Sequence, residues 1–274
     1  MTNDRRYPAG VPCWIDTEQD DVAAAREFYG SLFGWEFADA VPAGQPGTYL
    51  IATLDGRDVA AIGPAFGPAG AQWHTYVAVD DADIAASEVR SAGGHVPVEP
   101  ADAGPGGRLA GCMDPSGARF RLWQPRRRLG AQLVNVPGSW NFSNLLSADP
   151  EGAAAFYTAL FGWRFDDLGF ATMIARPGYG DHLAATVDPG IRTRQSAIAA
   201  PPGFEDAIGW LEPIADGPDR WHVTFAVADR DESVSVAEGL GATVLSSDDS
   251  QWARATTVRD PQGAELTLSQ FTPP

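Results

Sequence analysis

The sequence predicts an α+β protein made of two tandem copies of one unit, each copy being a pair of β-α-β-β-β modules. Three observations carry this: a set of motifs that recurs in order, helical apolar spacing closed by glycine, and short alternating runs divided by Pro, Gly and Asp-Gly turns. Phe28-Tyr29-Gly30-Ser31-Leu32-Phe33-Gly34-Trp35 is answered by Phe156-Tyr157-Thr158-Ala159-Leu160-Phe161-Gly162-Trp163, with six of eight positions identical. Trp73-His74-Thr75-Tyr76 returns as Trp221-His222-Val223-Thr224, and Asp114-Pro115-Ser116-Gly117-Ala118 as Asp260-Pro261-Gln262-Gly263-Ala264. One octapeptide is within reach of chance, but three motifs in the same order are a duplication.

The elements follow in order. A β-like run over 11–16 leads to Asp20, which opens a helix whose Val22, Ala25, Phe28, Tyr29 and Leu32 share one face. Gly34 stands at the position after the helix, where a left-handed backbone favours glycine. Strands are expected around 35–37, 48–54 and 59–62. The order then recurs: a strand over 73–79, a helix over 81–92 ended by Gly93-Gly94, and strands near 95–98, 109–113 and 118–123. The second copy repeats the reading with a strand over 140–146, a helix over 149–160 and a second helix around 231–240. Its wider motif spacing places an insertion around 188–220, in a Pro- and Gly-containing stretch. The expected domains are therefore residues 8–125 and 138–274, joined by a linker over 126–137. Arg126-Arg127-Arg128 in that linker reads as a solvated connector or an anion site.

Composition narrows the function. A hydrophobic fraction of 44% over 274 residues is enough for two cores. Acidic residues outnumber basic ones by 36 to 19, and the resulting charge of −17 repels phosphate backbones and anionic membranes. Nucleic acid and membrane are thus not expected partners. Every basic residue is Arg, so a Schiff-base lysine is excluded. Cys13 and Cys112 are too few for a disulfide framework, both lie on expected strands, and no charged, apolar leader opens the chain. A reducing cytoplasm is the expected compartment, and a monomer or homodimer the expected assembly.

Paired β-α-β-β-β modules, a helix ending in Phe-Tyr-x-x-Leu-Phe-Gly-Trp and a closing Asp-Pro-x-Gly turn together resemble the vicinal oxygen chelate superfamily of glyoxalases, bleomycin-resistance proteins and dioxygenases. The resemblance covers residues 10–124 and 138–271. It implies that each pair of modules curls into an incomplete barrel, helices outside, around a ligand cavity. In metal-dependent members, His, Gln or Glu on the first and last strands of each module hold the ion. Here the matching positions are Trp14 and Phe142 on the first strand, His74 and His222 on the strand opening the second module, and Arg121 and Thr267 on the last. The remaining strand offers the neighbourhoods of Ala60-Ala61 and Ala184-Ala185. One ligand-like histidine per copy falls short of the three or so protein ligands of a catalytic divalent site, so no metal or other cofactor is expected. A different set in the second copy, His182, His222 and Glu265, would suffice chemically, with His182 read as lying near a strand edge.

Alternation from the matched positions places Trp14, Asp16, His74, Tyr76, Arg119 and Arg121 on the cavity face of the first copy. The second copy places Phe142, Asn144, His222, Thr224, Glu265 and Thr267 there. Aromatic area with sparse polar groups suits a flat organic ligand. Arg121 is read as a clamp for a carboxylate or phenolate, or as the structural ion-pair partner of Asp16. The resemblance and these residues point to metal-independent binding of a small aromatic metabolite or antibiotic, as in bleomycin-resistance-like sequestration. The alternative is an isomerase, lyase or hydroxylase-like enzyme with His74 or His222 as general base, and after it a metal-dependent glyoxalase or dioxygenase. Each histidine also reads as a hydrogen-bonded core residue.

Overall fold

The computed structural model describes residues 5–42, 44, 46–65 and 70–273. The first copy runs β1 (Pro12–Gln19), α1 (Val22–Phe33), β2 (Glu36–Asp39), β3 (Leu50–Leu54), β4 (Arg57–Pro64), β5 (Gln72–Ala78), α2 (Ala82–Ser91), β6 (His95–Ala103), β7 (Gly107–Met113) and β8 (Arg119–Pro125). The second runs β9 (Trp140–Ser147), α3 (Pro150–Phe161), β10 (Arg164–Asp167), β11 (Thr172–Ala175), α4 (Tyr179–Ala185), α5 (Ile191–Ala197), β12 (Ala207–Pro213), β13 (Arg220–Ala226), α6 (Arg230–Gly239), β14 (Thr243–Asp249), β15 (Ala253–Arg259) and β16 (Glu265–Phe271).

Each copy forms its own eight-stranded mixed sheet, in the orders β2-β3-β4-β1-β5-β8-β7-β6 and β10-β11-β12-β9-β13-β16-β15-β14. The joins β1–β4 and β5–β8 are parallel, as are β12–β9 and β13–β16. The hairpin joins are antiparallel. Among the described residues each sheet ends in two edge strands, and each is an incomplete, curved barrel with its helices outside.

Local chemistry sets the helix limits. Asp21 caps α1 by accepting from the N–H groups of Ala23 and Ala24, which puts the start one residue beyond the expected Asp20. Gly34 and Gly162 end α1 and α3 with φ of 72° and 67°, a conformation in which a β-carbon would clash with the following carbonyl.

By packing, the chain divides into two compact units that cut across the repeat. One unit gathers the chain up to Cys13, Thr75–Gly130 and Ser143–Trp221; the other gathers Trp14–His74, Ala131–Phe142 and the chain from His222 onward. Sheets are therefore hydrogen-bonded within a copy, whereas cores are shared between copies. In the second unit Tyr29 and Gln19 donate to Asp260 Oδ2 at 2.7 and 2.8 Å, and Trp73 meets Phe225 edge to face. In the first unit Tyr157 donates to Asp114 Oδ2 at 3.1 Å, Trp221 donates to the Tyr157 hydroxyl, and Phe120 packs on Phe156 and Tyr157. The repeated Phe-Tyr motif thus places its rings in these shared cores, where each buried aromatic contributes about 1.5–3 kcal/mol.

The insertion starts earlier than expected. Between β11 and β12 the second copy carries α4, α5 and a single 3-10 turn over Phe204–Asp206, where the first copy turns through Asp55-Gly56 between β3 and β4. Part of the stretch read as insertion, 207–213, is strand β12. Ala184-Ala185 and His182 lie on helix α4 and not on a strand, which corrects both expectations. The Pro and Gly residues that signalled a loop flank short helices, whose few turns carry little periodicity.

Candidate functional site

β1 sorts its side chains by parity. Cys13, Ile15, Thr17 and Gln19 are fully buried, with Thr17 Oγ1 donating to the Gln72 carbonyl and Gln19 to Asp260. The alternate residues Trp14, Asp16 and Glu18 occupy the other face. There Trp14 Nε1 donates to the Tyr49 hydroxyl at 3.2 Å, and that hydroxyl donates to Asp16 Oδ2 at 2.9 Å. Asp16 is 2% exposed, and the phenol supplies a hydrogen bond that offsets the cost of its burial. Opposite Asp16 in the parallel register stands Ala61, a small side chain beside a carboxylate.

His74 on β5 lies with its Nε2 3.6 Å from Glu18 Oε2, the two side chains being 7% and 12% exposed. That separation is too long for a hydrogen bond, and Nε2 is buried with no hydrogen-bond partner. A buried nitrogen left unmet costs about 1–3 kcal/mol. A carboxylate and an imidazole at this separation are chemically able to share one hydroxyl, which would donate to Glu18 and accept from an Nε2–H.

Farther along β5, Tyr76 receives Arg121 Nη1–H at 2.7 Å, and the guanidinium carbon lies 5.4 Å from the ring centroid. Arg119 is exposed at the first position of β8. Neither cysteine is a nucleophile: both are buried and free, and burial raises both thiols, Cys112 to about 12.

The second copy differs at each matched position. His222 Nε2 is already hydrogen-bonded to Thr267 Oγ1 at 2.8 Å, and Thr267 Oγ1 meets Thr257 Oγ1 at 2.9 Å. Thr224 is 7% exposed, and its hydroxyl has no partner. Glu265 accepts from Arg259 at 2.8 Å. Asn144 Nδ2 donates to Glu212 Oε1 at 2.7 Å, and Phe142 is half-buried. His182 is half-buried, and its Nε2 lies 2.9 Å from the Arg6 carbonyl, so α4 offers it to the N-terminal segment.

The donor set does not fit a catalytic divalent ion. Among the described residues no three His, Cys, Asp or Glu side chains converge, so His182, His222 and Glu265 form no triad. The first copy assembles two donors, Glu18 and His74, where such sites take about three. The remaining matched positions carry an indole and a guanidinium.

Parity points to Trp14, Asp16 and His74 as candidates. It passes over Glu18 because the apolar signal stops at Asp16, although 14, 16 and 18 are one series. Tyr49 falls inside the strand expected over 48–54, but no matched position on that strand sets a parity from which to place it. Thr257 and Glu212 sit on strands adjacent to those searched.

Residues 19–122 match the Glyoxalase/Bleomycin resistance protein/Dioxygenase superfamily, and residues 142–269 match the Glyoxalase-like domain. The chain is 36% identical over 282 residues to the Mycobacterium tuberculosis protein described as "Putative glyoxylase CFP32", spanning 100% of this chain and 99% of that one. It is 33% identical over 285 residues to the anthracycline biosynthesis protein DauV of Streptomyces sp. (strain C5), spanning 97% and 95%. Among solved structures, the Mn(II)-bound glyoxalase from Novosphingobium aromaticivorans superposes with a TM-score of 0.61 at 16% identity, over 96% of this chain and 82% of that one. Among the described residues no helix is long and apolar enough to cross a membrane.

Proposed function

Because the chain belongs to the glyoxalase/bleomycin resistance protein/dioxygenase superfamily, we propose that its first copy binds a small hydroxylated aromatic molecule through protein side chains alone. The observation that carries this reading is His74 Nε2, buried without a hydrogen-bond partner beside Glu18. A phenolic O–H entering there donates to the Glu18 carboxylate while its oxygen accepts from His74 in the tautomer that carries the proton on Nε2. Trp14, Tyr49 and Ala61 supply ring surface and room, and the Tyr49–Asp16 bond holds that surface in place. The relatives named for anthracycline biosynthesis support a fused-ring aromatic as ligand class. The copies over 8–125 and 138–274 are then domains of unequal role.

A second reading has one observation in its favour. A buried carboxylate beside an imidazole is a route for proton transfer from a bound hydroxyl, so the same pair can act as general base and turn its ligand over. The relative named as a glyoxylase is in keeping with small-molecule chemistry.

The test is a calorimetric titration with quinizarin, a dihydroxyanthraquinone, on wild type, His74→Ala and His222→Ala. Loss of the His74 contact is expected to weaken binding by about tenfold or more, with His222→Ala close to wild type. Equal losses in the two variants, or none in His74→Ala, contradict the proposal. Product appearing with wild type and vanishing in His74→Ala at retained affinity replaces binding with catalysis.

A further inference from the structure

The second copy carries an aromatic strip apart from Glu18 and His74, on the sheet face that holds Asn144. Trp210 on β12 has Phe170, at the β10–β11 turn, and Phe204, on the 3-10 turn, with ring centroids 6.4 and 6.1 Å away. Phe170 is 58% exposed, and Phe204 and Trp210 are half-buried. Phe204 comes from the connection that the first copy lacks, so the insertion itself supplies one ring of the strip.

A polar group accompanies the rings. Leu211 pairs with Leu145 in parallel register, which sets Trp210 beside Asn144 on the same face. A carboxylate can only accept, so the contact with Glu212 Oε1 fixes the Asn144 amide nitrogen on that side and leaves Oδ1 on the other. That oxygen is buried and has no hydrogen-bond partner. An acceptor withdrawn from water and left unmet favours any ligand that brings a donor.

We propose that this strip is a second ligand site, for an uncharged flat aromatic ring bearing an O–H or N–H donor. Trp210 is the stacking surface, Phe170 and Phe204 flank it, and Asn144 Oδ1 accepts the donor. The first copy presents ionisable Glu18 and His74 to its ligand; this site presents an amide oxygen, and the two are independent.

The probes are β-naphthol and its methyl ether, which share a ring system and differ in the donor. Binding is followed at the Trp210 indole N–H in proton–nitrogen correlation spectra of the full chain, the signal being assigned by Trp210→Phe. β-Naphthol is expected to shift that signal with about tenfold higher affinity than the ether. Asn144→Leu should abolish that preference while the ether binds as before. Phe170→Ala, at an exposed position that leaves the fold intact, should weaken both probes by about threefold or more. The proposal is overturned if the Trp210 signal ignores both probes, if wild type binds them equally, or if Asn144→Leu keeps the preference. His74 variants decide the first copy's reading and leave these outcomes unchanged.

Discussion

The two copies share a fold and differ in what they leave unsatisfied. In the first, His74 Nε2 is buried without a partner beside Glu18; in the second, Thr267 occupies His222 Nε2 at 2.8 Å. Asp16 faces Ala61 in the first copy, and the corresponding place in the second holds Asn144 with Trp210. Duplication preserved the helix motif and the Asp-Pro-x-Gly turn, whose side chains build the shared cores, and left the other sheet face free to diverge. A histidine at a matched position is thus no guide to role until its partner is known.

The largest expected effect concerns the shared cores. Asp260 accepts from Tyr29, Gln19 and the N–H groups of Gln262, Gly263 and Ala264. Asp114 accepts from Tyr157 and the N–H groups of Ser116 and Ala118. Asp260→Ala is expected to cost on the order of 3 kcal/mol or more and Asp114→Ala about 2 kcal/mol, because each buried donor left unmet adds to the loss. Urea denaturation checks the order, and an equal or reversed pair would break the comparison.

Filling the space beside Asp16 gives the next effect. Ala61→Leu brings the first copy toward the crowded register of the second, and is expected to remove quinizarin binding at a stability cost of about 1–3 kcal/mol. Undiminished binding by a folded variant would place the ligand elsewhere.

The smallest effect is a pH dependence. Burial raises the Asp114 carboxyl above its ordinary 3.8, so its contribution to stability is full below that value and is lost as the pH rises through the elevated folded value. Asp114→Asn lacks this loss and keeps an acceptor for Ser116 and Ala118. Its melting temperature relative to wild type should therefore climb as the pH is raised from acid to neutral; a flat or falling difference would show that Asp114 ionises without cost.

Much of this was legible in sequence because periodicity reports burial. The strands expected at 11–16, 73–79 and 118–123 and the helices closed by Gly34 and Gly162 are all present. β6 extends past the expected 98 to Ala103, over Pro97 and Pro100. It is an edge strand with register shifts, where a missing N–H breaks no ladder bond. β1 also outran its apolar signal: Thr17 and Gln19 are polar yet buried through bonds to Gln72 and Asp260. Those partners lie far along the chain, so the apolar signal stops at Asp16 and does not reach Glu18. Whether a matched histidine is satisfied is likewise set by a neighbouring strand, and His74 and His222 look alike until Glu18 and Thr267 are placed.

The most direct test of the central claim is the affinity of the chelator-stripped protein for quinizarin, measured beside its metal content. The side chains of the first copy are expected to hold the ligand with affinity unchanged by stripping and with no stoichiometric metal in the untreated protein. A tightly held manganese, iron, zinc or nickel ion whose removal abolishes binding would contradict it.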